Sequence, residues 1–396
     1  MPVPAGRARA GQGYEIMQFK GLNMDGLDVL MNELQDRLIG TREPRDLAES
    51  PILYEHELLQ AAFALLSKRT GLKPFKPQVS PLESGAVPLF RKNFFPWGGL
   101  PYPKEHAELG YLLSHLGDEE MNNIVLRMAH FQEATLDHNK KPILSLFHQE
   151  GRGPLHSLEK ANELFFDVVC PSPAETLHFT DHELGMVVRR NASSTLLTLG
   201  SGCKSGMGAF LHHDAGIINY GPQFLPLGDC SGFGLAGSAQ KPQINDEGEW
   251  FSFSYLCRLA APSPRRSTVS DLQDSGYSGL WMEAAVGGSL EGISIHTCFE
   301  GMAPLNKIVF SFFGKGEVCS VSGTHLLKPR SLDRYQGPAD SLFFLGKKGG
   351  VRLDPLEGST HLEVIPLAGD ESFWGADFLA SYTLHSPKVA FGLCLR

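Results

Sequence analysis

The stretch Trp250-Phe-Ser-Phe-Ser-Tyr-Leu256 alternates serine with large apolar residues. Successive side chains of a β-strand point to opposite faces, so this alternation predicts a strand with one face in a core. From residue 166 onward, short apolar or alternating runs recur between glycine, proline and aspartate, at 185–189, 194–199, 216–220, 307–313, 361–366 and 389–394. Many short strands with turn residues at close intervals are typical of an antiparallel β-sandwich or barrel.

The first 165 residues show a different period. Apolar residues recur three and four positions apart, which places them on one face of a helix. This pattern predicts helices over 26–39, 52–68, 105–116 and 118–135. The last two flank a Gly-Asp turn and form an αα-hairpin, and stacked hairpins build solenoids and α/α toroids.

These two patterns predict an α+β protein of two domains. We expect helical hairpins, forming a partial α/α toroid, over residues 1–165. A large antiparallel β-sandwich is expected over residues 166–396. A chain of 396 residues is long enough to bury two such cores.

Composition and charge narrow the possible partners. Hydrophobic residues make up 42% of the chain and the formal net charge is -9, without an obvious basic patch, so nucleic acid is not an expected partner. The seven cysteines are widely spaced, which argues against a disulfide framework and a cysteine-type zinc site. The sequence shows neither a signal-like N-terminal stretch nor a membrane span, so we expect a cytoplasmic protein without membrane contact, while a secreted or periplasmic origin stays open.

The densest polar cluster is Phe210-Leu-His-His-Asp-Ala-Gly-Ile-Ile-Asn-Tyr220. Strand alternation would point His212 and Asp214 to one face and His213 to the other. A hairpin could then bring Asp229 back beside His212. Imidazole and carboxylate together predict a zinc site, which needs a third protein ligand. The alternative, left open by spacing alone, is that these groups form hydrogen bonds to backbone at the rim of the sandwich.

Four stretches around this cluster resemble the heparinase II/III type of polysaccharide lyase. Residues 179–189 are similar to that family's first sandwich strand, where a glycine precedes a short apolar run ending in arginine. Residues 195–200 resemble the second strand, and 211–216 resemble the His-x-His-x-Asp-x-Gly signature. Residues 226–229 resemble the Pro-Leu-x-x-Asp that follows the next strand. The resemblance covers residues 175–230 and implies the toroid-plus-sandwich fold.

For a metal, the resemblance implies zinc. His212 matches the second histidine of the signature and Asp229 its downstream aspartate, which are zinc ligands in metal-containing members. The third ligand is unassigned by the resemblance, and His296 is our candidate for it. Phe210 stands where the family has its first histidine, which is implicated in catalysis.

For activity, the resemblance implies β-elimination on a uronate-containing, acidic polysaccharide. His213 and Tyr220 are the candidates for base and acid, and Arg189 could pair with a sugar carboxylate. The alternatives are a cross-strand packing role for Tyr220 and a solvated strand end for Arg189. A second function class also stays open: a non-catalytic carbohydrate-binding or interaction protein that retains the sandwich. Phe210, and the absence of the family's His-Asn-Thr run, favour this second class.

Overall fold

The computed structural model describes residues 57–70, 73–87, 103–144, 175–200, 206–224, 235–259, 280–301, 308–369 and 375–396. The helix expected at 26–39 and the domain boundary at 165 lie outside these residues. The described part is mostly antiparallel β-sheet with few helices. Its helices do not test whether the N-terminal part forms a toroid, so that expectation stays a prediction.

Three helices precede the sheets, and the predicted hairpin is among them. They are α1 (Glu57–Thr70), α2 (Pro103–Ser114) and α3 (Glu119–Ala134). Asp118 is the N-cap of α3, and its Oδ1 accepts a hydrogen bond of 2.8 Å from the backbone N–H of Glu120. Gly117 supplies the positive φ, +67°, between α2 and α3. The predicted cap and hairpin are confirmed.

Two nine-stranded sheets make up the rest of the described chain, and all their neighbouring strands pair antiparallel. In spatial order, the first sheet contains β1 (Leu177–Asp181), β2 (Met186–Arg190), β3 (Ser194–Leu199), β4 (Gly208–His212), β5 (Ala215–Phe224), β10 (Ile308–Lys315), β17 (Phe378–Leu384), β16 (Ser359–Pro366) and β13 (Tyr335–Pro338). In spatial order, the second contains β12 (His325–Leu327), β11 (Val318–Val321), β14 (Leu342–Leu345), β15 (Gly350–Glu357), β18 (Lys388–Leu395), β9 (Gly292–Glu300), β8 (Leu280–Ser289), β7 (Trp250–Leu259) and β6 (Leu235–Glu247).

The two sheets share one hydrophobic core. Phe310 and Phe312 of the first sheet each place their ring centroids 5.0 Å from that of Phe391 in the second. Along β7, Phe251 and Phe253 are buried while the intervening Ser252 is half-buried, as the alternation predicts. Face-to-face sheets with a common aromatic core are the arrangement of a β-sandwich.

The helical segment covers the outer face of the first sheet. Phe131 and Ile143 belong to a second buried cluster with Val188 and Leu197 of the sheet. Every residue of β2 and β3 is therefore buried, which explains why these strands read as continuous apolar runs without alternation. Arg190 of β2 links the sheet to the segment after α3, because its Nη1 donates a hydrogen bond to the carbonyl of Leu136 at 2.7 Å.

Candidate functional site

The candidate site lies at the turn of the β4–β5 hairpin. β4 ends at His212, which pairs with Ala215, so His213 and Asp214 form the two-residue turn between the strands. His213 adopts a positive φ of +51°. The expectation that strand alternation continues through His213 and Asp214 is wrong, because the strand ends one residue earlier.

Three imidazoles meet at this turn. The ring centroids of His212 and His213 are 4.4 Å apart. His138, from the turn after α3, places its Nε2 2.7 Å from the carbonyl oxygen of His213. The side-chain amide nitrogen of Asn139 lies 3.0 Å from the same Nε2, and Nδ1 of His138 lies 2.9 Å from the hydroxyl of Thr195. His138 thereby holds the turn in place.

His212 is fixed on two sides. Its Nδ1 lies 2.8 Å from the hydroxyl of Ser194. Gly349 lies against the other edge of the ring, where a Cβ at this glycine would stand 2.7 Å from Nε2. Burial lowers the pKa of His212, the neighbouring His213 and His138 lower it further, and Glu291 opposes them. His212 is therefore neutral over a wider pH range than a free histidine.

Asp214 joins this turn to the second sheet. Its carboxylate accepts hydrogen bonds from the backbone N–H groups of Lys347, at 2.9 Å, and Lys348, at 3.5 Å. The bond from Lys347 is the largest effect on Asp214, and the pKa of this carboxyl is lowered. Both lysines lie in the β14–β15 turn with exposed side chains. We call His138, His212, His213, Lys347 and Lys348 the histidine rim.

His213 is the histidine of the rim best placed for chemistry. Its side chain is half-exposed, and its ring nitrogens make no hydrogen bond within the described ranges. By contrast, the ring nitrogens of His138 are both engaged. Among the lysines, Lys347 Nζ lies 3.3 Å from Glu317 Oε1, whereas Lys348 has no ion pair with a described residue. The imidazole of His213 could move a proton, and the ammonium of Lys348, in the turn that Asp214 ties to this hairpin, could hold an anion.

Tyr220 lies away from the rim, inside the sandwich. Its side chain is 0% exposed and stacks on Phe312 with ring centroids 5.8 Å apart. Burial raises its pKa well above the usual range. This position agrees with the packing alternative, and an acid or base role for Tyr220 has no route to a bound sugar in this arrangement.

Arg189 is also 0% exposed. Its Nη2 lies 2.7 Å from Oδ1 of Asp246, and its Nε donates to the carbonyl of Gly248 at 3.0 Å. Burial lowers the pKa of Arg189, against the effect of Asp246. The alternative of a solvated strand end is wrong, because the side chain is fully buried. The guanidinium of Arg189 links the two sheets and is not accessible to a sugar.

The structure does not bring His212 and His296, two of the predicted zinc ligands, together. Asp229 lies outside the described residues. His296 is exposed in the middle of β9, in the opposite sheet from His212. Where the structure describes the chain, no group of three histidine, cysteine, aspartate or glutamate side chains could hold a metal ion. His212 and His213 supply two imidazoles, which do not by themselves fit a zinc site.

Sequence reasoning missed His138 and the lysine turn. His138 follows α3 in an Asp-His-Asn run, a polar turn signal that says nothing about a partner 75 residues away. The run Gly346-Lys-Lys-Gly-Gly350 predicts a turn between strands, but not that the turn reaches the opposite sheet. Neither contact is encoded in local spacing.

Comparison with known proteins identifies no family. No family model matches the chain. No curated protein matches it either. Among solved structures, a xanthan lyase from Paenibacillus has a TM-score of 0.44 and 8% identity, and the match covers 85% of this chain and 43% of the lyase. The Slr1438 protein from Synechocystis sp. PCC 6803 has a TM-score of 0.28 and 7% identity, covering 56% of this chain and 95% of that one. This chain therefore spans less than half the length of the xanthan lyase.

The described part of the chain contains no helix that is both long and apolar enough to cross a bilayer.

Proposed function

We propose that this protein is lyase-like and acts on acidic, uronate-containing polysaccharides at the histidine rim. The observation that carries the proposal is the contact between His212 and His213, at 4.4 Å between ring centroids, beside the lysine turn that Asp214 holds. A base next to cationic groups is what β-elimination on a uronate requires.

In the proposed reaction, Lys348 pairs with the uronate carboxylate and makes the neighbouring C5 proton acidic. His213 removes that proton. The electron pair forms the C4–C5 double bond, the bond from C4 to the glycosidic oxygen breaks, and the leaving oxygen takes up a proton from solvent water. His212 and His138 position His213, and Arg189, Tyr220 and a zinc ion have no step in this scheme.

The second candidate is a carbohydrate-binding protein that does not cleave. One observation favours it: Phe210, which stands where the resembled family has a histidine, is 0% exposed in the core. No second base is therefore supplied from that position. In this alternative the same lysine turn binds the acidic glycan, and the histidines hold the turn.

The test is a panel of uronate-containing polysaccharides and one neutral glucan, with product followed by the ultraviolet absorbance of the unsaturated uronate. We expect cleavage of an acidic glycan, and a His213→Ala variant should lose at least about 100-fold in rate, because a positioned general base contributes about that much. His361→Ala removes an exposed histidine of β16 and is the matched control, with an unchanged rate.

The outcomes separate the two candidates. Binding of acidic glycans without product, weakened by Lys348→Gln, would establish the non-catalytic candidate. Neither binding nor product with any acidic glycan would refute both. An unchanged cleavage rate in the His213→Ala variant would show that His213 is not the base.

A further inference from the structure

A polar cavity lies on the outer face of the second sheet, and none of its lining residues belongs to the histidine rim. Its volume is about 560 Å³. It is lined by Ser322, Asp340, Ser341, Phe343, Arg352, Cys394, Leu395 and Arg396. A cavity of this size is in the range of small-ligand sites.

The sheet register aligns the lining residues. Phe343 of β14 pairs with Arg352 of β15, and Arg352 pairs with Cys394 of β18. Residues directly opposite one another in adjacent strands share a face, so these three side chains form one row. Arg396 follows Cys394 by two positions and returns to the same face. We call this row, with Arg396, the arginine pocket.

Two guanidinium groups converge on one ring. The guanidinium carbon of Arg396 lies 4.2 Å from the ring centroid of Phe343, and that of Arg352 lies 5.7 Å from it. An aromatic face attracts both cations, which keeps two like charges close together. The pocket therefore presents two preorganised planar donor groups.

Hydrogen bonds orient Arg352. Asp354 Oδ1 accepts from the Nε of Arg352 at 2.8 Å and from the hydroxyl of Ser341 at 2.5 Å. Because Nε is engaged, the terminal nitrogens of Arg352 are the donors left for a ligand, and they make no hydrogen bond to a described residue. Arg396 likewise has no ion pair with any residue that the structure describes.

The acidic groups narrow the class of ligand. Asp340 lines the pocket and Asp354 pairs with Arg352, so two carboxylates offset the two guanidinium charges and leave no excess positive charge to favour a multiply charged anion. A singly charged carboxylate matches the guanidinium fork. The hydroxyls of Ser322 and Ser341 and the carboxylate of Asp340 suit a ligand that also carries hydroxyl groups.

We propose that the arginine pocket binds the carboxylate of an acidic sugar, a uronate, with Arg396 and Arg352 as its partners. The inference does not rest on the proposed function, because no residue of the pocket belongs to the histidine rim. Every step depends on the side chains of β14, β15 and β18, on Arg396, and on Ser322, Asp340 and Ser341 beside them.

The test compares glucuronate with glucose by titration calorimetry. We expect glucuronate alone to bind, and Arg396→Gln to weaken it at least about tenfold, since a charge-assisted hydrogen bond contributes about that much. Arg334→Gln removes an exposed arginine from the loop just before β13 and should change nothing. His213→Ala should also bind normally, which separates this site from the rim.

Cys394 gives a local readout. Bound glucuronate should slow alkylation of the Cys394 thiol, followed by mass spectrometry of its peptide. The half-buried thiol of Cys298 in β9 serves as the internal control and should react at an unchanged rate. Equal binding of glucose and glucuronate would overturn the proposal, as would glucuronate binding that survives Arg396→Gln. Inorganic sulfate binding as tightly as glucuronate would show a simple oxyanion site and would overturn the sugar assignment.

Discussion

His106 shows how strongly burial controls a single side chain in this protein. It is 1% exposed, packs against Phe131 with ring centroids 5.4 Å apart, and accepts a hydrogen bond from the backbone N–H of Val87 at 3.2 Å. Burial lowers its pKa to about 3, against a smaller effect of the Gly85 backbone. The folded protein therefore keeps this histidine neutral well into the acid range.

The same burial makes stability depend on pH. Because the folded pKa is about 3 and the ordinary value 6.5, the unfolded chain binds a proton that the folded chain does not, and stability falls as pH drops below 6.5. We expect about 2 kcal/mol less free energy of unfolding at pH 5 than at pH 7 from this group. Urea unfolding of wild type and His106→Leu checks it: the variant should lose less stability over this interval, and equal losses would contradict the prediction.

Among the elements, α3 owes its start to a single residue. Asp118 satisfies the N–H of Glu120 and adds a negative charge at the positive end of the helix. We expect Asp118→Ala to lower the free energy of unfolding by about 1 kcal/mol, and Asp118→Ser to restore most of that loss. Thermal unfolding followed by circular dichroism measures both. A serine variant no more stable than the alanine variant would rule out capping as the cause.

Elements differ in how far the sequence alone predicts them. The cap and hairpin of α2 and α3 follow from the sequence because their signals are local, and the alternation of β7 follows because one face meets solvent. By contrast, the complete burial of β2 and β3 depends on α3, which comes from more than 40 residues earlier and covers their outer face.

The candidate site shows the same limit. The sequence singles out His212 and His213 but not His138, Gly349 or the lysine turn, because those contacts join separate elements. The sequence also suggests Arg189 and Tyr220 as functional residues because of their chemistry. Residue type does not show that both side chains are buried. Asp229 lies outside the described residues, and its pairing with His212 stays a prediction.

At the scale of the whole molecule, Arg189 and Asp246 connect the two sheets. Arg189 belongs to β2 in the first sheet and Asp246 to β6 in the second. The hydroxyl of Thr180 donates to the other oxygen of Asp246 at 2.5 Å, so the carboxylate is held from two directions. An ion pair with one fully buried partner is sensitive to loss of the other.

We expect Asp246→Asn to lower the free energy of unfolding by about 2–3 kcal/mol, because Arg189 would keep a buried charge without its counterion. Burial would raise the pKa of Asp246, but the hydrogen bonds from Thr180 and Gly248 and the charge of Arg189 lower it overall. A carboxyl with a lowered folded pKa stabilises above its unfolded value of 3.8 and loses that effect as pH falls through the folded pKa.

The difference between wild type and Asp246→Asn should therefore be constant near neutral pH and shrink in acid, below pH about 4. Denaturant unfolding at several pH values measures it. Asp333→Asn, at an exposed aspartate, is the control and should leave stability nearly unchanged. A difference independent of pH would mean that the carboxylate charge is not what stabilises the pair.

Gly349 carries a consequence for how this protein can evolve. A side chain at position 349 and the imidazoles at 212 and 213 compete for the same space, since a Cβ there would lie 2.5 Å from Cδ2 of His212 and 3.2 Å from that of His213. Selection therefore acts on the three positions as one unit, although they are far apart in the gene. A lineage that keeps both histidines in this arrangement must keep this glycine, and one that replaces the glycine must move or replace the two rings.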